Sequence, residues 1–145
     1  FAGLWTLFQW LGTEASPNAE AMPAALFWLL VAIPMLARAQ ILALALSTPY
    51  VRRTGLGSVL SRQMPRQAAL MILVLVWVGF LTLGLLVGQF LLFLLAAVAA
   101  WVCFWLWRRS ALMRLKGYTG DVAGALVELT ELVLLLTPLI LIDLR

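Results

Sequence analysis

The sequence predicts an all-α, polytopic transmembrane helix bundle, and three observations predict it. Hydrophobic residues make up 65% of the 145 positions and charged residues 11%, too little polar surface to coat a soluble globule of this size. Ala68 to Trp107 is a run of residues without a single charge. As one straight helix it would measure about 60 Å against a hydrocarbon core of about 30 Å, so it must fold back on itself. Finally, the basic residues cluster between apolar runs, as loops of a membrane protein require. The expectation is one membrane domain, residues 1–145, with four complete spans, a partial N-terminal helix and a short interfacial helix.

Each element follows from local chemistry. Phe1 to Leu11 is too short to cross a bilayer and has the character of the tail of a helix. Ala24 to Leu46 is long enough, and Ser47-Thr48-Pro49 ends it because proline cannot continue the hydrogen-bond ladder. Leu56, Val59, Leu60 and Met64 follow at helical spacing, which predicts a short helix lying along the membrane surface. The uncharged run divides where Gly84, Gly88 and Gln89 offer a turn, giving spans of Ala68 to Val87 and Phe90 to Trp107. A last span starts at Gly120 or Asp121 and runs to about Ile142.

Charge orients the bundle. Arg52, Arg53, Arg62 and Arg66 lie in one loop and Arg108, Arg109, Arg114 and Lys116 in another, whereas Gly12 to Pro23 carries only Glu14 and Glu20. Basic loops stay in the cytoplasm, so the positive-inside rule accounts for most of the cations and nucleic acid is not needed to explain a net charge of +4. A multi-pass membrane protein with both basic loops in the cytoplasm is expected. The lone Cys103 excludes an intramolecular disulfide, and the absence of histidine removes the usual zinc and haem sites.

Three places are able to carry chemistry. In Thr48 to Ser58, Arg52 and Arg53 supply forked donors for phosphate, and Gly55 and Gly57 let backbone N–H groups approach an anion; topogenic arginines touching lipid headgroups are the plainer reading. Arg38 lies within a span, about 12 Å of rise short of Leu46 and one turn beyond Pro34, which should kink the helix and free the Leu30 carbonyl. It suits an anionic ligand or a partner carboxylate, or snorkels to the headgroups. In the last span Asp121, Glu128 and Glu131 share a side with Gly120 and Gly124. Intramembrane carboxylates are costly and normally face protein, water or ligand, so Glu128 is expected to face the bundle. Thr119-Gly120-Asp121 opens that helix, presenting N–H groups to a phosphate or letting Asp121 act as a cap.

Two of these segments carry a resemblance. Lys116-Gly117-Tyr118-Thr119-Gly120-Asp121, Gly124-Ala125 and Glu128-Leu129-Thr130-Glu131-Leu132 resemble the C-terminal signature of the cobalamin synthase family, the adenosylcobinamide-GDP ribazoletransferases. Pro49-Tyr50-Val51-Arg52 with Gly55-Leu56-Gly57, preceded by Arg38, is similar to a second motif of that family. The family pattern has two glycines ahead of the residue before Thr-Gly-Asp, and here Lys116 stands at the first.

The resemblance implies a Mg2+-dependent inner-membrane enzyme that joins adenosylcobinamide-GDP to alpha-ribazole or its phosphate and releases GMP. It implies catalytic roles for Asp121, Glu128 and Glu131 and substrate-binding roles for Arg38, Arg52, Arg53, Gly55, Gly57, Thr119 and Gly120. The aspartate-rich motif that would hold Mg2+ matches nothing in this chain, which implies the C-terminal part of a longer enzyme with its metal ligands upstream. Corrinoid nucleotide, alpha-ribazole and membrane lipid are the implied partners, and a homo-oligomer stays open. Rival classes are another membrane phosphoryl or phosphatidyl transferase, an ion-coupled transporter, for which inverted repeats are missing, and a non-catalytic membrane subunit.

Overall fold

The computed structural model of the chain describes residues 21–51 and 65–143. Within them lie four long helices: α1 (Ala21–Ser47), α2 (Arg66–Leu86), α3 (Phe90–Leu115) and α4 (Gly120–Asp143). All four are long and apolar enough to cross a membrane, and no strand occurs among the described residues. The expected N-terminal partial helix and the interfacial helix at Leu56 to Met64 lie outside them.

The helices close into a ring. Packing joins α1 to α2, α2 to α3, α3 to α4 and α4 back to α1, with only light contact across the α1–α3 diagonal. The α2–α3 and α3–α4 connections are short, so these neighbours run antiparallel, and α1 and α3 run parallel. Two ties along that diagonal record the register: Gln40 Nε2 donates to the Ala100 carbonyl at 3.1 Å, and Arg108 donates to the Ser47 carbonyl at 2.7 Å and its Oγ at 3.0 Å. Both partners advance by about two turns from one tie to the next, as parallel helices must.

Two apolar cores fill the ring. Near the α2–α3 turn, Leu29, Ile33 and Leu36 meet Phe80, Phe93, Ala96, Ala100 and Leu134, with the Phe80 and Phe93 rings 5.0 Å apart. Towards the other end, Ala43, Leu44, Phe104, Tyr118, Ala123 and Leu126 form the second. α1 is the most buried helix and α2 the least, so α2 presents a largely apolar surface fit for lipid.

The α2–α3 hairpin refines the expected turn. Gly88 has φ 72° and makes it, the left-handed conformation being open to glycine at little cost. Gly84 does not: it is helical, and a Cβ there would lie 2.5 Å from Phe93 Cβ, so its role is to let α2 approach α3. The basic end differs more. α3 continues to Leu115 rather than ending at Trp107, which places Arg108, Arg109 and Arg114 on a helix instead of in a loop. Arginine is a good helix former, and Arg109 sits over the Trp105 ring one turn back, 5.6 Å from its centroid. Only Lys116 to Thr119 remains as connection.

Candidate functional site

The two sequence motifs meet at the basic end. The chain leaving α1 through Pro49, Tyr50 and Val51 lies parallel to the chain leaving α3. Tyr118 N–H donates to the Pro49 carbonyl and Val51 N–H to the Tyr118 carbonyl, each at 3.0 Å. The Tyr50 and Tyr118 rings pack edge to face, centroids 5.1 Å apart. Such an approach leaves no room beside Gly117, where a Cβ would lie 2.4 Å from the Pro49 oxygen and 2.5 Å from a Val51 methyl. Tyr118 is 2% exposed and its hydroxyl has no hydrogen-bond partner among the described residues. Burial, and then the neighbouring Tyr50, push its phenol above the ordinary range.

Immediately beyond the bridge α4 begins. Thr119 caps it: its carbonyl accepts from Ala123 N–H at 3.0 Å, and its Oγ1 is 3.4 Å from Val122 N, the pairing of an N-cap with the third helical residue. The capping role considered for Asp121 therefore belongs to Thr119. Asp121 stands in the first turn, where a carboxylate is favoured by the helix dipole. Trp107 Nε1 donates to the Val122 carbonyl at 2.9 Å and pins this turn to α3.

Further along α4 the expected orientation is not what the helix adopts. Ala123, Leu126, Thr130, Leu134 and Thr137 face the ring interior, while Asp121, Gly124 and Glu128 are exposed and Glu131 is half-buried. Glu128 thus points away from the interior of the four helices. The reason is that small and apolar residues at helical spacing on the other side fill the ring, leaving the carboxylates outward. Arg38 is also outward, exposed on α1. Glu128 lies about 12 Å of rise in from Gly120, comparable to the depth of Arg38 from its own helix end. Because α1 and α4 pack together, these opposite charges occupy the outer sides of neighbouring helices. Among the described residues no ion pair joins Arg38 to Glu128 or Glu131. Arg38 instead donates to the Pro34 carbonyl at 3.0 Å, and α1 continues through Pro34.

Of the residues singled out in the sequence, Thr119, Gly120 and Asp121 gather at the first turn of α4, and Arg38, Glu128 and Glu131 lie deeper. Arg52, Arg53, Gly55 and Gly57 lie outside the described residues, although the bridge ends at Val51, directly before Arg52. No group of three or more metal-ligating side chains comes together among the described residues, so these carboxylates do not by themselves fit a Mg2+ centre. Two recesses, between α1 and α2 and between α3 and α4, are lined by apolar residues apart from Thr82 and Cys103, and touch none of the candidate residues.

Sequence reasoning missed Tyr50, Gly117 and Tyr118 as a connected unit, and missed Gln40. Gln40 is fully buried, and its Oε1 has no hydrogen-bond partner among the described residues; its signal was being the one amide in α1, two residues after Arg38. Nothing in local sequence marks Tyr50 and Tyr118 as neighbours.

Comparison with known proteins agrees with the two motifs. The family model described as cobalamin-5-phosphate synthase matches residues 1–139. An adenosylcobinamide-GDP ribazoletransferase of Stutzerimonas stutzeri is 54% identical over 102 residues, covering 70% of this chain and 39% of the relative. Proteins of the same name from Pseudomonas entomophila and Pseudomonas syringae pv. syringae are 44% and 43% identical, covering 74% and 76% of this chain and 42% and 43% of themselves. The chain therefore spans about two fifths of the length of the curated relatives it matches. No solved structure matches it. By its family match over residues 1–139 and its similarity to these relatives, this membrane bundle belongs to the cobalamin-5-phosphate synthase family.

Proposed function

We propose that the chain forms part of an inner-membrane transferase that joins adenosylcobinamide-GDP to alpha-ribazole or its phosphate, releasing GMP, with its active face in the cytoplasm. The observation that carries this reading is the bridge between Pro49-Tyr50-Val51 and Gly117-Tyr118, which brings an arginine-bearing motif and a helix N-terminus to one basic end. The reaction breaks the phosphoanhydride and forms a phosphodiester, so negative charge grows on the departing GMP. First-turn N–H groups of α4, the positive end of its dipole and cationic side chains suit that charge. In this reading Arg52, Arg53, Gly55, Gly57, Thr119 and Gly120 hold phosphate, and Asp121 orients the attacking hydroxyl. Arg38, Glu128 and Glu131 meet polar groups of the substrate on the outward side of α1 and α4. That side carries charges that are expensive against hydrocarbon and that the four helices leave uncovered.

Mg2+, implied by the family resemblance, would supply further neutralisation of phosphate charge; the described carboxylates do not assemble a site for it, and no step is assigned to it. The whole reaction belongs to a protein of the relatives' length. The test is therefore made in proteoliposomes holding the chain, alone or together with the portion of the Stutzerimonas relative that it does not span. Supplied with adenosylcobinamide-GDP, alpha-ribazole and Mg2+, they should yield the joined corrinoid and GMP in equal amounts. GMP release without corrinoid product would overturn the reading.

A further inference from the structure

The bridge at the basic end contains a residue whose only asset is the lack of a side chain. Gly117 has ordinary backbone geometry, since among the described glycines only Gly88 has positive φ, so conformational freedom does not explain it. Space does. A Cβ at 117 would lie 2.4 Å from the Pro49 carbonyl oxygen, closer than any real contact. That oxygen belongs to the backbone and accepts the Tyr118 N–H, so it cannot swing aside as a side chain would. Any larger residue must push residues 49–51 away from 117–118 and break the pair of hydrogen bonds.

We propose that Gly117 is a positioning residue. By permitting the bridge, it sets the spacing between the first turn of α4, with Thr119, Gly120 and Asp121, and the chain that leaves α1 through Val51. This rests on the function proposed above and adds to it the device that holds the chain after α1 beside the first turn of α4. The bridge is built to hold a spacing: two hydrogen bonds in parallel register resist sliding, the Tyr50–Tyr118 ring pair resists separation, and the Thr119 cap ties the bridge to α4 without an intervening flexible residue. Misplacing a reacting group by about 1 Å is enough to cost on the order of 10²-fold in rate. The displacement that a Cβ would force here is of that size.

The experiment compares Gly117→Ala with Gly88→Ala, a glycine whose substitution strains the opposite end of the bundle. In the proteoliposomes described above, hydrogen exchange at the Val51 and Tyr118 amides and the transfer kcat/KM are measured together. Gly117→Ala should speed exchange at both amides by about 10-fold or more and lower kcat/KM on the order of 10²-fold, whereas Gly88→Ala should alter neither. Val51→Pro removes one bridge donor without adding a Cβ at 117; it should repeat the loss, and it decides the matter if Gly117→Ala fails to insert. Equal loss of transfer in Gly88→Ala, or unchanged transfer in a Gly117→Ala protein with deprotected amides, overturns the positioning role. A wild type with protected amides but no transfer overturns the proposed function and this role with it.

Discussion

Lys116 is the one described non-glycine residue with positive φ, at 55°, and it ends α3 in the left-handed conformation. A side chain there crowds the following carbonyl, at roughly 1 to 2 kcal/mol. The family pattern has glycine at this position, and the backbone supplies the reason: glycine enters that conformation freely. Lys116→Gly should therefore raise stability by about 1 kcal/mol, less the extra freedom that glycine gives the unfolded chain, read as a higher unfolding midpoint in detergent. A lowered midpoint would show that the lysine side chain makes a compensating contact. Five positions on, Asp121 separates structure from chemistry. Thr119 does the capping, so Asp121→Asn leaves the cap in place and removes about 1 kcal/mol of dipole interaction. The same substitution should lower transfer turnover on the order of 10²-fold if the charge acts on the reaction. Turnover near wild type would remove Asp121 from the site.

At the scale of elements, close helix approach is where the sequence is least forgiving. α2 contains two glycines with opposite surroundings: Gly84 is packed against Phe93, whereas a Cβ at Gly79 would have no atom within 4 Å outside its own helix backbone. Phe93 Cβ is fixed to its backbone, so Gly84→Ala must part α2 from α3, at about 1 to 3 kcal/mol as for other overpacked sites. Gly79→Ala meets nothing and gains helix propensity, up to about 1 kcal/mol. Unfolding both variants in parallel should move the midpoints in opposite directions. If both fall, the hairpin is not held by the Gly84–Phe93 contact. The sequence showed both glycines but not which one the neighbouring helix would touch, because that depends on the rotation of α2 about its axis.

For the molecule as a whole, the bridge and the α2–α3 turn lie at opposite ends of the ring, and every cluster of cations in the described helices lies at the bridge end: Arg66 opens α2, and Arg108, Arg109 and Arg114 close α3. By the positive-inside rule that end is expected on the cytoplasmic side. In a Cys103→Ser background, an impermeant thiol reagent added to intact cells should label Gln89→Cys, whereas Ser58→Cys should react only after permeabilisation. Labelling of position 58 from outside would reverse the orientation and with it the face assigned to the reaction.

The all-α class, the fold-back within the uncharged run and the grouping of basic segments at one end were legible in the sequence, because hydrophobic length and charge placement answer to the bilayer, which acts on each segment separately. So was the pairing of motifs that marks the family, since motifs are local strings. The outward orientation of Glu128 was not legible: its stripe was visible on α4, but which stripe turns inward was decided by the better packing of Ala123, Leu126, Thr130 and Leu134 against α1 and α3. The end of α3 was missed because charge was taken to stop a helix, when it only stops a membrane span. The meeting of Tyr50 with Tyr118, and the steric demand it places on Gly117, belong to tertiary structure alone. They arise only when the ring of helices closes and brings the ends of α1 and α3 side by side.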